Sequence, residues 1–168
     1  MQQQWSQLYS AIATAAATLM GLLFVAVSIN SAKLASQDHR GGARQLAEQA
    51  FRSYSTALFL SLVVLYPTVS LVTLGRITLA ITASSAVFSL VRLHAVITAP
   101  RSEGQKRDPG MPRRMLSAVG GYGLLILAEG QMGFFGQEAR GTLATGALVL
   151  MSSAALTSWD LLINLAKA

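Results

Sequence analysis

Apolar residues gather into five long runs along this chain, at about 8–32, 54–74, 77–98, 116–135 and 143–166, with short polar segments between them. Each run is close to the ~20 residues that a helix needs to cross the hydrocarbon core of a bilayer. Little chain is left from which to build a water-soluble domain. The pattern predicts an all-α fold: a polytopic membrane helix bundle of five transmembrane helices, forming one domain over residues 1–168. Residues 54–98 are together too long for one span, and Gly75-Arg76 in their middle reads as a tight turn. Pro67 predicts a kink in the second span, because it removes a backbone donor and crowds the turn before it. Ala43 to Ala50 reads as an extension of the second helix beyond the membrane. Gly104, Pro109, Gly110 and Pro112 mark the other long connection as a loop.

Composition supports this reading. Hydrophobic residues make up 52% of the 168 residues and charged residues 12%, where a soluble domain carries about 25% charged. A short chain gives each helix few partners within one copy, so homo-oligomerisation is expected. The N-terminus carries no Lys or Arg before the first apolar run, so that run reads as a retained helix and not as a secretory signal.

Charge then orients the bundle. Lys33, Arg40, Arg44 and Arg52 lie in the first long connection, taken as residues 33–53. Arg101, Lys106, Arg107, Arg113 and Arg114 lie in the second, 99–115, and Lys167 ends the chain. Ten basic residues thus fall on one side against two, Arg76 and Arg140, on the other. The positive-inside rule makes the rich side cytoplasmic, with the N-terminus outside and the C-terminus inside. An odd number of spans satisfies this. Trp5, Tyr9 and Trp159 fall near the interfaces, as amphipathic aromatics do. The formal charge of +6 is read as anionic lipid headgroups meeting basic loops, with no nucleic-acid partner. A composition rich in Ala, Leu, Ser and Arg suits a bacterial inner membrane, crossed several times.

Polar residues inside the runs are the candidate chemistry. Thr78, Thr82, Ser85, Ser89 and Arg92 are spaced by four, three, four and three, which puts all five on one face of the third helix. Shorter stripes are Ser153, Thr157, Asp160 and Asn164 in the fifth run, Tyr54, Ser61 and Thr68 in the second, and Ser10, Thr14, Ala17 and Gly21 in the first. Such stripes serve close helix packing, or they line a hydrated path. The third is the leading pore candidate, through Thr78, Thr82, Ser85 and Ser89. Arg92 and Asp160 each lie about six residues before the same end of their spans, so they are expected to form an intramembrane ion pair. Either charge alone at the bilayer centre costs about 3 kcal/mol on insertion scales.

Glu129 is the only carboxylate well inside the fourth run. An intramembrane acid is by default a proton relay, a cation site or part of a pore. Tyr122, seven residues earlier on the same face, and Tyr66, at similar depth, are its expected hydrogen-bond partners. The fourth run is also rich in glycine, with Gly133 and Gly136 on the face of Glu129.

Other chemistry finds no footing. The absence of cysteine excludes disulfides, thiolate zinc sites and iron–sulfur clusters. His39 and His94 make a poor metal or haem pair. No phosphate-binding glycine loop with its lysine occurs, and Gly120-Gly121-Tyr122-Gly123 reads as helix packing. No catalytic constellation assembles, so neither an enzyme nor a cofactor or metal is expected. The function expected first is a small oligomeric channel or ion-permeation pathway, responsive to cations or protons. Glu129 would select or sense the ion, and Arg92 and Asp160 would form an inner latch. The alternative is a non-conducting membrane subunit or scaffold that binds protein partners. A proton-coupled transporter ranks third, because no inverted repeat is visible.

Overall fold

A computed structural model describes residues 2–32, 42–66, 70–98, 111–135 and 139–166. It is all-helical, with α1 (Gln2–Ile29), α2 (Gly42–Leu65), α3 (Leu71–Thr98), α4 (Met111–Phe135) and α5 (Arg140–Ala166). Among the described residues, three helices contain segments long and apolar enough to cross a membrane: Gln3–Ile29, Val72–Val91 and Arg140–Ile163. In α2 the polar residues Arg44, Glu48 and Arg52 dilute the apolar run, and in α4 Glu129 and Gln131 do so.

The helix boundaries correct one expectation. Gly75-Arg76 is not a turn; both residues lie inside α3. The break falls earlier, where α2 ends at Leu65 and the Tyr66 amide makes a tightened bond to the Val63 carbonyl at 3.2 Å. A proline disfavours helical geometry in the residue before it, so Pro67 ends the helix where the sequence suggested only a kink. Ser70 then starts α3. Its Oγ accepts from the Thr73 amide at 3.3 Å and lies 2.9 Å from Thr73 Oγ1, which satisfies an amide otherwise left bare at the helix start. The segment Ala43 to Ala50 belongs to α2, as the sequence suggested. α4 begins at Met111, so Pro112 sits in its first turn, where a missing N–H costs nothing. At the end of α1, Asn30 donates to the Ala26 carbonyl with its backbone amide at 3.2 Å and its side chain at 2.9 Å.

Packing follows the order α3, α4, α5, α2, with α3 closing back on α2 more lightly and α1 lying along α2 with a smaller contact to α5. The core stripe of α5 reads Leu143, Ala147, Leu150, Ala154, Thr157 and Leu161, a run of fours and threes that keeps one face inward. Glycine notches set its seam with α4. A side chain on Gly121 would strike Leu150, and one on Gly146 would strike Leu125. The two contacts run in opposite order along the helices, so α4 and α5 are antiparallel. At α3–α4 the approach is closer still. A Cβ on Gly75 would lie 2.5 Å from the Gly133 backbone nitrogen, so the residue expected to make a turn is instead where two helix backbones meet. Two side-chain contacts tie α1 to its neighbours. Tyr9 donates to the Arg140 carbonyl at 2.7 Å, and Ser55 of α2 lies 3.4 Å from the Met20 sulfur.

The outward faces are strongly apolar. Leu22, Phe24 and Ile29 on α1, Phe59 and Leu62 on α2, Val87 and Val91 on α3, Leu127 and Phe134 on α4, and Leu156 and Trp159 on α5 are all exposed. Contiguous apolar surface on this scale is a liability in water and suits a hydrocarbon surrounding.

Candidate functional site around Glu129

Glu129 is completely buried, as are Thr78 and Thr82 on α3. Two structural features bury it. The face of α4 carrying Leu125, Ala128, Glu129 and Met132 is turned inward, and the Gly75–Gly133 crossing pulls α3 against it. Side chains on a helix lean back toward its N-terminus. From the antiparallel α4, Glu129 therefore reaches away from the crossing and along α3, where Thr82 stands two turns beyond Gly75. The Thr82 hydroxyl donates to Glu129 Oε1 at 2.7 Å. Oε2 is equally buried and has no hydrogen-bond partner among the described residues.

The polar stripe of α3 thus points into a single copy of the bundle. Thr78 and Thr82 are fully buried, while Ser85 and Ser89, farther along the same face, are half-buried. The Thr78 hydroxyl is satisfied within α3 by the carbonyls of Leu74 at 2.9 Å and Gly75 at 3.2 Å. The Ser89 hydroxyl donates to the Ser85 carbonyl at 3.0 Å. From α2, the Thr56 hydroxyl lies 2.9 Å from the Arg52 carbonyl and 3.2 Å from Ser85 Oγ. One polar seam therefore joins α2 to α3 through Thr56–Ser85, and α3 to α4 through Thr82–Glu129. Beside it, the Arg52 guanidinium stacks over the Phe88 ring at 3.9 Å, another link from α2 to α3.

The expected partners of Glu129 are otherwise placed. Tyr66 sits past the end of α2 and is 62% exposed, so it does not donate to the buried carboxyl. The Tyr122 side chain is buried, but its hydroxyl has no hydrogen-bond partner among the described residues and hence no bond to Glu129. Spacing on α4 identified the shared face correctly but not the contact. Thr82 was legible as a polar residue and not as the partner. Asp160 is half-buried on α5, and the side chain of Arg92 lies outside the described residues, as does that of Asn164. The expected Arg92–Asp160 pair is therefore outside what the structure describes. Pro67, Thr68, His39, Gly136 and most of the basic loop residues lie outside it too.

The other stripes serve packing or face outward. Ser61 and Thr157 are buried and donate to Ala57 and Ser153 carbonyls at 2.8 Å. On α1, Ser10 and Thr14 are exposed, and Thr14 donates back to the Ser10 carbonyl at 2.9 Å. Glu129 differs from all of these in kind, as an ionisable side chain with half of its acceptor capacity unused. Comparison with known protein families, with curated proteins and with solved structures finds no match.

Proposed function

We propose that this chain is an integral membrane protein with five spans, N-terminus outside and C-terminus inside, and that it forms a proton- or cation-responsive ion-permeation pathway. The observation that carries this reading is Glu129: a fully buried carboxyl, tied by one oxygen to Thr82 and leaving the other unpartnered. Buried polar groups in proteins are nearly always paired. A carboxyl that is not is a place for an ion, a proton or a water to sit. The five outward apolar faces and the three span-length helices support the membrane setting. The basic segments then meet anionic headgroups on the inner face, and a bacterial inner membrane suits the composition.

In this reading the pathway runs inside each subunit, between α2, α3 and α4, a choice supported by the burial of Thr78 and Thr82 within one copy. Self-association then joins subunits side by side and does not create the lumen. The test is ion current across planar bilayers from purified protein, wild type beside Glu129→Gln, at two pH values. A selective current altered by the substitution supports the reading. A silent bilayer with inserted, folded protein refutes it.

A second reading has its own support. Thr78, Ser61, Ser89 and Thr157 already donate to carbonyls of their own helices, and the Gly75–Gly133 contact leaves no space between backbones. These features suit a closed, non-conducting membrane subunit that binds a protein partner. In that case Glu129→Gln changes stability alone, and a partner co-purifies with the protein.

A further inference from the structure

We propose that Glu129 is a site for a proton and not for a metal cation, and that it is loaded only from the end of the bundle where α3 ends and α4 begins. The proposal rests on the reading of Glu129 as the functional centre and specifies its ligand and its access.

The ligand follows from the donor set. A bound alkali or alkaline-earth cation takes six or more oxygens as a rule, and even a small cation wants a full octahedron. Around Glu129 the structure supplies one bonded hydroxyl, Thr82, which spends its proton on Oε1. Among the described residues no group of three or more His, Cys, Asp or Glu is placed to hold a metal. The helix carbonyls are engaged in their own ladders. A proton needs only one unpartnered oxygen, and Oε2 is one. In the loading step hydronium approaches, an O–H bond forms at Oε2, and a neutral water leaves. Thr82 continues to donate to Oε1 throughout.

The direction of access follows from the two ends of the seam. Toward the ends of α2 and α4, one turn beyond Glu129, the Gly75–Gly133 crossing brings backbone against backbone, with Met132 and Thr78 fully buried beside it. No side-chain rotation opens that contact, so the helices themselves must part. In the other direction the α3 face carries hydroxyls of rising exposure, from Thr82 to the half-buried Ser85 and Ser89. Thr56 of α2 completes the polar lining at Ser85. Water reaching Ser89 has hydroxyls to follow inward, and water at the opposite end meets a sealed crossing. Within the permeation reading, Gly75–Gly133 is the closed gate and Glu129 is the site behind it.

The other ionisable groups with described side chains on the surrounding helices are Tyr122 on α4, Arg76 and His94 on α3, Arg140 and Asp160 on α5, and Arg44, Glu48, Arg52 and Tyr54 on α2. None of these makes a hydrogen bond to Glu129, whose one partner among the described residues is Thr82. The carboxyl is therefore expected to answer to solvent protons and not to exchange with a neighbour.

The experiment uses the full chain in liposomes sorted for one orientation, with infrared difference spectra recorded after a pH jump applied to one face in impermeant buffer. The signal is the carbonyl stretch of a protonated carboxyl group. The expected result is a band that appears on acidification of the face at the C-terminal end of α3 alone. It is lost in Glu129→Gln and unchanged when sodium and potassium are replaced by a large organic cation. In Ser85→Val the rise of the band is slowed or lost. A band that shifts with sodium or potassium overturns the assignment to a proton. Equal response from both faces overturns the one-sided access, and an unaltered rise in Ser85→Val overturns the route. A wild-type protein with no pH-dependent band overturns the site itself, without recourse to any variant. The bilayer current separates this outcome from failure of the permeation reading. One-sided protonation with no current removes the pathway and keeps the site, whereas current with no titrating band does the reverse.

Discussion

Thr82 and Glu129, 47 positions apart in the chain, meet in the bundle interior through a 2.7 Å hydrogen bond from the threonine hydroxyl to the carboxyl Oε1. Interhelical hydrogen bonds in membrane proteins average about 0.6 kcal/mol and reach about 1.7 kcal/mol. Thr82→Val keeps the shape and removes the donor, leaving both carboxyl oxygens without a partner. It is expected to destabilise the protein toward the upper end of that range, while Thr82→Ser retains most of the stability. The measurement is unfolding in mixed detergent micelles, carried through a double-mutant cycle with Glu129→Gln. Coupling indistinguishable from zero would show that the bond carries no energy.

The start of α3 makes a separate, local prediction. Ser70 Oγ accepts from the Thr73 amide at 3.3 Å, and the Ser70 carbonyl accepts from Leu74 at 2.8 Å. Replacing a serine cap by alanine costs about 1 kcal/mol. Ser70→Ala should lose about that much, and Ser70→Asp should keep it, because an aspartate oxygen can accept the same bond. Equal stability of the two variants would show that Ser70 is not the cap.

These two features differ in how far the sequence reveals them. Spacing alone places Thr78, Thr82, Ser85 and Ser89 on one face, and hydropathy alone singles out Glu129. Neither tells which residue of another helix stands opposite, since a helical face has no address until the crossing point is known. That point is Gly75–Gly133. Gly75 is misleading in sequence because glycine followed by arginine inside a long apolar stretch resembles a turn. The same lack of a side chain that permits a turn also permits contact between backbones. The break falls before Pro67, after Leu65, and Ser70, a preferred N-cap residue just ahead of an apolar run, is a helix-start signal that could have located it. With the break moved to Tyr66, that tyrosine falls at a helix end and is exposed, which removes it from the site.

Tyr122 offers a test of opposite sign. Its hydroxyl is buried and has no partner among the described residues. A buried polar group left unsatisfied costs about 1–3 kcal/mol. Tyr122→Phe removes the hydroxyl and keeps the ring, so stability should be unchanged or higher, and any ion current should be unaffected. A loss of stability above about 1 kcal/mol, the net worth of one hydrogen bond, would mean that the hydroxyl is bonded in the membrane-embedded protein.

The last prediction sets two glycines against each other under the same chemical change. A methyl group on Gly75 would lie 2.5 Å from the Gly133 nitrogen and 2.9 Å from its Cα, whereas one on Gly123 would meet nothing within 4 Å. Both residues lie inside helices. In an open position, alanine gains about 1 kcal/mol over glycine from helix propensity. At Gly75 the obstacle is backbone and cannot move aside by changing rotamer, so α3 and α4 must separate. Overpacking of this kind costs about 1–3 kcal/mol, enough to outweigh the propensity gain. Gly123→Ala should therefore be neutral or stabilising and Gly75→Ala destabilising, by unfolding in the same detergent series. Gly133→Ala should fall between them, because its methyl would lie no closer than 3.4 Å to the Arg76 nitrogen. Parting the crossing also loosens the seal one turn from Glu129. Gly75→Ala should then let protons reach the carboxyl from the sealed end, which the oriented-liposome infrared measurement detects directly. A destabilised Gly75→Ala that remains strictly one-sided would show that the crossing holds the helices together without serving as the gate.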